Sequence, residues 1–403
     1  MNILQQMTLP ETWQDFLQYK IEKQHVTKSE QDILRVYIEE QRYIPVLKDI
    51  GKLEYQLPIP CKKTINKDGT KKKRVVYSYP EDFNVVLKMI AFLLYQYDTV
   101  FTNNCYAFRR HFGVKDAVMR IRKTANIGNK YCLKADISNY FNSIDEELLL
   151  NKLQFLKSDD EDLLQLFTKL LQADVAVENG ELVMEKRGAM AGTPVSPFFA
   201  NVYLADVDRY FEEKGVLYFR YSDDILLFAD TLEELQQWQQ ELFDQIAKHY
   251  LSLNQEKVQL SAPGEAWDFL GLSYVDGRVD LSQHTKVKIK KKIKRKAEAL
   301  RRWARKKGLT GEHAAKGFIK AMNYKFFATD KSTEFTWSRW FFSNLTTDKG
   351  LKEIDAYMQQ YIRYCVTGKH NKGNYKITYE QMKSWGYRNL VHEYYNNRLG
   401  EMR

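Results

Sequence analysis

The chain has 403 residues, 44% of them hydrophobic and 28% charged, with a net charge of +10 at pH 7. This is enough for two or three compact units with sizeable cores. The longest uncharged apolar run, Met89 to Tyr95, is far short of the roughly 20 residues of a membrane-spanning helix. The N-terminus lacks the basic and then apolar order of a signal peptide, and the four cysteines are dispersed without a Cys-x-x-Cys pair. We therefore expect a cytoplasmic protein without a membrane partner, a disulfide framework or a structural zinc site.

For the first 79 residues we predict helices followed by a basic β-hairpin. Amphipathic stretches such as Ser29 to Tyr43 favour helices up to about residue 55. Two extended arms, 57–65 and 73–79, then flank an Asp-Gly turn, which is typical of a hairpin. Its basic side chains include Lys63, Lys67 and Arg74. Such a hairpin is either an exposed soluble ribbon or a flap that grips phosphates.

The middle of the chain mixes helices and short strands. Periodicity predicts helices over residues 81–96, 146–156, 159–171, 198–211 and 232–250. Strands are predicted over residues 130–135, 216–219 and 225–228, and a strand pair around 267–279.

One segment near the C-terminus holds the whole positive excess. His284 to Lys307 contains thirteen Lys or Arg residues and a single acid, Glu298. Its apolar residues recur every three or four positions, so we predict a helix with one face packed on the body. Such a large surplus favours a polyanionic partner over a merely solvated helix face. The positions expected to face a nucleic-acid duplex are Lys291, Lys294, Arg295, Arg301, Arg302 and Arg305.

Three acidic residues carry the chemistry. Asp223 and Asp224 lie at a predicted turn between two apolar strands, and Asp136 ends another apolar strand. Adjacent carboxylates cannot both face an apolar core without a large desolvation cost. Carboxylates from separate strands are the hard oxygen ligands that a pair of Mg²⁺ ions needs for phosphoryl transfer.

With these residues the chain resembles the reverse transcriptases, and in particular bacterial enzymes related to group II intron and retron proteins. Five motifs from about residue 58 to 277 are similar to that family and stand in its order. They are Lys134-Ala135-Asp136-Ile137 with Tyr140-Phe141, Gly192-Thr193-Pro194-Val195-Ser196-Pro197 with Asn201, Tyr221-Ser222-Asp223-Asp224, Leu253-Asn254 with Lys257, and Phe269-Leu270-Gly271.

The resemblance implies an α+β right-hand polymerase fold. The expected parts are an N-terminal helical extension of the fingers (1–55), fingers with the basic hairpin (56–125), a palm with an antiparallel sheet and flanking helices (126–280, with 145–190 contributing to the fingers), and a basic helical thumb (281–403).

The resemblance also assigns roles to residues. Asp136, Asp223 and Asp224 are expected to bind two Mg²⁺ ions, which Mn²⁺ can replace, with the carbonyl of Ile137 as a further ligand. Lys257 either protonates the leaving pyrophosphate or only pairs with acidic neighbours.

Other roles concern substrate and primer. Arg74 with Lys63 or Lys67 is expected to hold the triphosphate of a dNTP, and Phe141 to exclude a ribose 2′-hydroxyl unless it is a plain core residue. Gly192, Pro194 and Tyr221 belong to the template and nucleotide pocket, and Phe269, Leu270 and Gly271 to the hairpin that grips the primer end. Many relatives have Gln where this chain has Ala191, which puts one contact to the incoming nucleotide in doubt.

The expected activity is copying of an RNA template into DNA. The motifs look most like the stand-alone, defence-associated bacterial enzymes, which implies a structured non-coding RNA as template and a role against phage. The alternatives are a group II intron maturase, an RNA-dependent RNA polymerase and a non-catalytic RNA-binding scaffold.

Overall fold

The computed structural model describes residues 1–24, 26–52, 54–66, 73–184, 188–327 and 337–401. It forms two compact units, residues 1–263 and residues 264–403. Each mixes helices with antiparallel strands, which agrees with the expected α+β class. No helix within the described ranges has both the length and the apolar character that a bilayer span requires.

The first unit contains strands, α-helices and short 3₁₀ helices. Its strands are β1 (Cys61–Asn66), β2 (Lys73–Ser78), β3 (Tyr131–Asp136), β4 (Val175–Glu178), β5 (Glu181–Met184), β6 (Leu217–Tyr221), β7 (Asp224–Ala229) and β8 (Gln259–Ser261). Its α-helices are α1 (Ile3–Gln6), α2 (Pro10–Glu22), α3 (Lys28–Glu39), α4 (Tyr43–Ile50), α5 (Glu81–Leu93), α6 (Val114–Lys123), α7 (Tyr140–Ser143), α8 (Glu146–Lys152), α9 (Leu156–Asp159), α10 (Glu161–Gln172), α11 (Ser196–Tyr203), α12 (Ala205–Glu213) and α13 (Leu232–Lys248). Short 3₁₀ helices span Leu94–Val100, Ile127–Asn129, Leu153–Phe155 and Gln255–Lys257.

The central sheet carries the acidic positions. Its strand order is β6-β7-β3-β8, and the pairs β6–β7, β7–β3 and β3–β8 are all antiparallel. Strands β3 and β7 are buried along most of their length because most of their side chains are apolar. Helix α13 packs on both of these strands.

The basic hairpin is part of a larger sheet than expected. Strands β1 and β2 pair as predicted, and β1 also pairs with β4 to give the order β2-β1-β4-β5. The β4–β5 hairpin turns at Asn179 and Gly180, both with positive φ. An Asn-Gly turn between alternating residues is a strong hairpin signal that the sequence interpretation overlooked. Lys67 lies outside the described residues.

The prediction of a single helix over residues 198–211 is wrong. Leu204, with φ −108° and ψ 10°, leaves helical geometry and separates α11 from α12. The break redirects α12, so that Asp208 reaches the side chains of Tyr218 and Arg220 on β6.

The second unit joins a small sheet to a helical bundle. Its strands are β9 (Trp267–Phe269), β10 (Leu272–Val275) and β11 (Arg278–Leu281), three where a pair was expected. Its α-helices are α14 (Gln283–Lys306), α15 (Gly311–Phe327), α16 (Trp337–Phe342), α17 (Lys349–Thr367), α18 (Tyr379–Ser384) and α19 (Leu390–Glu401). Helix α14 is the predicted basic helix, and it buries Ile289, Ile293, Ala297 and Ala304.

Candidate active site

Three carboxylates meet at one end of the central sheet. Asp136 is the last residue of β3 and Asp224 is the first of β7, and the two are direct partners in the antiparallel register. Tyr221 pairs with Asp224, so Ser222 and Asp223 form a two-residue turn, with Ser222 at φ +62°. The Ile137 amide donates to the Asp223 carbonyl at 3.1 Å and ties this turn to β3. The structure thus brings together the three acids that the sequence predicted.

Lys257 lies directly against the first of these acids. Its Nζ is 2.5 Å from Oδ2 of Asp136, and the amide of Asn254 donates to the Asp136 carbonyl at 2.7 Å. The Asn254–Lys257 segment therefore closes over the end of β3. Of the two expected roles of Lys257, pairing with an acidic neighbour is the one that this geometry displays.

Burial and mutual repulsion shape the electrostatics of the cluster. Burial raises the pKa of Asp224 to about 6, with further upward contributions from Asp223 and Asp136. Lys134 and Lys257 act in the opposite direction. A site that destabilises its own negative charge in this way is one that a cation stabilises.

The carboxylate oxygens are suitable ligands for divalent cations, although the side chains are not arranged around a metal position. Carboxylate oxygens at a partly buried strand end are the ligands that Mg²⁺ prefers. Across the described ranges, no group of three or more His, Cys, Asp or Glu side chains has a metal-holding arrangement. Asp136 is instead oriented to Lys257, whose ammonium group contacts one of its two carboxylate oxygens.

The glycine-containing loop before α11 packs against the basic hairpin. Gly192 has φ +103°, and a Cβ there would lie 3.0 Å from the Tyr77 carbonyl and 3.1 Å from the Val76 Cβ. The Tyr77 amide donates to the carbonyl of Ala191 at 2.8 Å. Because this bond uses the backbone, it forms whatever side chain residue 191 carries.

The two described basic residues predicted to hold a triphosphate share the hairpin face that meets this loop. Lys63 is paired with Val76, and Arg74 is paired with Ile65. Paired residues and every second residue along a strand point to the same face. Lys63 and Arg74 therefore lie on the Val76 face, next to Gly192, and both are exposed.

An aromatic group borders the acids. Phe141 is half-buried, and its ring centroid is 6.3 Å from that of Phe108, which is 6.5 Å from that of Tyr221. Phe108 is 40% exposed and has φ +58°. The sequence reasoning missed Phe108 because no local pattern distinguishes it. The Phe141 carbonyl accepts from the Ala189 amide at 2.9 Å, which joins the first motif to the glycine loop.

A buried ion pair lies beneath the acidic turn. The guanidinium of Arg220 contacts Asp208 through Nε at 2.7 Å and Nη2 at 2.5 Å, and both side chains are fully buried. Nη1 of Arg220 also donates to the carbonyl of Ser222 at 3.2 Å, so the pair holds the turn. Asn201 joins this group, since its Oδ1 is 3.4 Å from Nη1 of Arg220 and its Nδ2 donates to the Ala107 carbonyl. Its fully buried side chain thus supports the turn and does not line a pocket.

In the second unit, the predicted primer-gripping residues form the β9–β10 turn. Leu270 and Gly271 have φ of +52° and +84°, while Phe269 is buried. The carbonyl of Gly271 accepts from the Ser282 amide at 3.0 Å and from Thr285 Oγ1 at 2.8 Å. This turn is thereby attached to the first turn of α14.

The basic residues of α14 lie on different faces of the helix. Lys286 and Lys290 form ion pairs with Glu353 of α17, at 2.8 and 2.6 Å. Five of the six predicted contact residues are exposed, whereas Arg301 is half-buried against Gly368. A groove of about 720 Å³ between α14 and α15 is lined by basic residues of both helices, namely Lys292, Arg295, Lys296, Lys320 and Lys325.

Comparison with known proteins identifies the family of this arrangement. The family model described as reverse transcriptase (RNA-dependent DNA polymerase) matches residues 65–274, more than half of the chain. The chain belongs to the reverse transcriptase family. The matched range includes the whole acidic cluster.

Two curated relatives of this reverse transcriptase come from Escherichia coli. The retron Ec86 reverse transcriptase is 23% identical over 174 residues, 42% of this chain and 50% of that protein. The retron Ec83 reverse transcriptase is 32% identical over 113 residues, 26% and 34% of the two chains. The match thus spans half or less of each relative. Among solved structures, apo telomerase from Candida tropicalis gives a TM-score of 0.48 at 12% identity, covering 78% of this chain and 58% of that chain.

We predict that Asp208→Asn destabilises the fold by about 3–5 kcal/mol, because it leaves the Arg220 guanidinium buried without its counter-charge. Urea unfolding measures the change. The pair of half-buried Lys130 and exposed Asp230, at the other end of β3 and β7, provides the control, since Lys130→Gln should cost no more than about 1 kcal/mol. Replacing both partners, Asp208→Leu with Arg220→Met, should recover most of the loss. Equal effects of Asp208→Asn and Lys130→Gln would contradict the importance of the buried pair.

Proposed function

We propose that this reverse transcriptase is an RNA-directed DNA polymerase that joins dNTPs to a primer by two-metal phosphoryl transfer. The observation that carries the proposal is the direct cross-strand pairing of Asp136 and Asp224 with Asp223 in the adjoining turn. Retention of all three acids argues against a non-catalytic RNA-binding scaffold.

The acids and Lys257 have different roles in the proposed reaction. Asp136, Asp223 and Asp224, with the Ile137 carbonyl, would hold two Mg²⁺ ions, or Mn²⁺ in their place. Bound ions supply Lewis-acid stabilisation of the attacking and leaving oxygens. Lys257 contacts Oδ2 of Asp136, so its ammonium group would lie close to the reacting phosphates.

The nucleotide site lies between the hairpin and the aromatic group. Lys63 and Arg74 neutralise the triphosphate from the hairpin face that meets Gly192. Phe141, whose ring contacts that of Phe108, would exclude a ribose 2′-hydroxyl. Pro194 and Tyr221 complete the walls of the nucleotide and template pocket.

We further propose that the template is a cognate structured non-coding RNA and that its copying serves antiphage defence. The basic helix α14 and the groove beside α15 support a polyanionic partner, because A-form duplexes are recognised mainly through shape and backbone contacts. Similarity to two retron reverse transcriptases supports a template of this kind. Sequencing of the RNA and DNA that copurify with the protein tests it, and recovery of intron RNA would favour a maturase instead.

Asp223→Asn should abolish primer extension while the fold persists. The change removes a metal ligand and relieves repulsion with Asp224, so the free energy of unfolding should stay equal or rise. Primer extension and urea unfolding measure the two effects. Asp230→Asn, at the opposite end of β7, is the matched control and should extend primers normally. Undiminished synthesis by Asp223→Asn would refute this active site.

Phe141→Ala should admit ribonucleotides. Removal of the ring opens space beside the sugar, and a single steric contact is worth about 1–3 kcal/mol of discrimination. The ratio of kcat/KM for dNTP and rNTP measures it. Phe108→Ala removes a neighbouring ring and should leave that ratio unchanged. If both variants change the ratio equally, Phe141 is only a packing residue.

Replacement of Lys291, Lys294, Arg302 and Arg305 by Gln should weaken RNA binding and flatten its dependence on salt. Each phosphate contact contributes about 0.9 to the slope of log affinity against log salt, so six contacts imply a loss of about 10³ or more between 50 and 200 mM. Binding titrations over a salt series measure this. Lys286→Gln with Lys290→Gln is the control, because Glu353 already engages both ammonium groups. A wild-type slope in the fourfold variant would place the RNA elsewhere.

A further inference from the structure

The segment that brings Lys257 to the acids starts at a histidine at the end of α13. This residue, His249, is 6% exposed, and the family motifs described above do not include it. Residues 250–257 run from it to Lys257, whose ammonium group contacts Asp136. The way in which the start of this segment is held therefore bears directly on the acidic site.

The imidazole of His249 connects three helices. Its Nδ1 lies 2.6 Å from the Gln245 carbonyl of α13, and Nδ1 carries a proton because a carbonyl oxygen can only accept. Its Nε2 lies 3.0 Å from Oδ1 of Asp206 on α12 and 3.0 Å from Nζ of Lys152 on α8. A neutral ring accepts from Lys152, and a protonated ring donates to Asp206. In either form the imidazole joins the end of α13 to another helix.

Further contacts reinforce this connection. Nζ of Lys152 is 2.6 Å from Oδ1 of Asp206. The Tyr203 hydroxyl donates to the His249 carbonyl at 2.7 Å and accepts from the Asp145 amide at 3.2 Å. Burial acts to raise the pKa of Asp206, but hydrogen bonds from His249 and Lys152 outweigh it and hold that pKa well below its usual range. The carboxylate therefore stays ionised and keeps both of its partners.

The turn that follows α13 is strained. The Leu251 amide donates to the Ile246 carbonyl at 3.2 Å, and the Tyr250 amide donates to the Ala247 carbonyl at 2.9 Å. This is the Schellman pattern, which places its fifth residue in the left-handed region where glycine is usual. Tyr250 occupies that position with φ +54°, and it is 73% exposed. Neither a glycine backbone nor a buried ring stabilises this turn, whereas the contacts of the adjacent His249 do.

Beyond the turn, the backbone is bound to the end of β3. Leu253 forms an antiparallel bridge with Ile137, and the Asn254 amide donates to the Asp136 carbonyl at 2.7 Å. Lys257 follows and contacts the Asp136 carboxylate. A displacement at the start of the segment would therefore reach Asp136 through both its backbone and its side chain.

We propose that His249 is a positioning residue for the polymerase reaction and acts through the segment that follows it. The proposal rests on the proposed polymerase function and extends it to a residue outside the acidic cluster. The contacts of His249 with Asp206 and Lys152 fix the direction in which the chain leaves α13. They thereby hold Lys257 and the backbone of Asp136 in place.

The kinetic test compares two substitutions of His249. His249→Leu removes both nitrogen contacts, so kcat for primer extension should fall about tenfold because the geometry at the acids changes. The KM for dNTP should stay within about twofold, since the triphosphate is assigned to the basic hairpin. His249→Gln should retain most of the activity, because its amide can still bond to Asp206 or Lys152. An unchanged kcat in His249→Leu, or an equal loss in both variants, would overturn the proposal.

Hydrogen exchange tests the same connection without catalysis. In His249→Leu, the backbone amides of residues 250–257 should exchange about tenfold faster, while those of α5 in the same unit keep their rates. Equal acceleration throughout the first unit would indicate general loosening of the fold and would count against a positioning role. Unchanged exchange in residues 250–257 would do the same.

Asp206→Ala keeps the test available if His249→Leu does not fold, because the Asp206 side chain is 51% exposed. It should lower kcat and accelerate exchange in residues 250–257, both to a smaller extent. Asp162→Ala is the matched control, since it removes an exposed acid from the first turn of α10 and should change neither quantity. The proposal fails if the two acid variants behave alike. Wild-type protein that extends no primer would instead reject the polymerase function, while hydrogen exchange still decides the connection from His249 to the segment.

Discussion

The ion pair between Arg220 and Asp208 is the constraint on which the acidic site depends. A fully buried guanidinium is tolerated only with a close counter-charge and satisfied hydrogen bonds. Asp208 supplies the charge, and the carbonyl of Ser222 accepts one of the remaining donors. Because that carbonyl belongs to the turn, satisfying the arginine also fixes the turn that carries Asp223. The buried charge of Arg220 thereby determines the geometry of the acidic turn.

The same arrangement explains why distant segments meet at the site. The parallel bridge between Cys105 and Arg220 joins the segment before α6 to the edge of the central sheet. Asn201 adds a second connection to that segment through the Ala107 carbonyl. Phe108 follows directly, so its ring is held beside Phe141 and Tyr221. One buried polar group thus positions both the carboxylates and the aromatic residues next to them.

Much of the site could be predicted because its signals are local. Asp136 and the Asp223–Asp224 pair end or begin apolar strands, and a strand end is readable from neighbouring residues. The partnership of Arg220 with Asp208 could not be read this way, since it depends on the break at Leu204 between two helices. Phe108 has a positive φ imposed by its surroundings, which leaves no trace in the sequence. The β4–β5 hairpin differs, because its Asn179-Gly180 signal was present and was overlooked.

The contact between Lys257 and Asp136 has a consequence for how such a site can be assembled at all. Three neighbouring carboxylates repel one another, and this repulsion opposes every folding route that brings them together. A lysine on the adjoining segment supplies a counter-ion within the same chain. The acidic cluster can therefore form during synthesis without waiting for divalent cations. In the proposed polymerase, a metal ion would bind beside an ammonium group that already contacts Asp136, so its gain in binding free energy would be smaller than at a bare carboxylate.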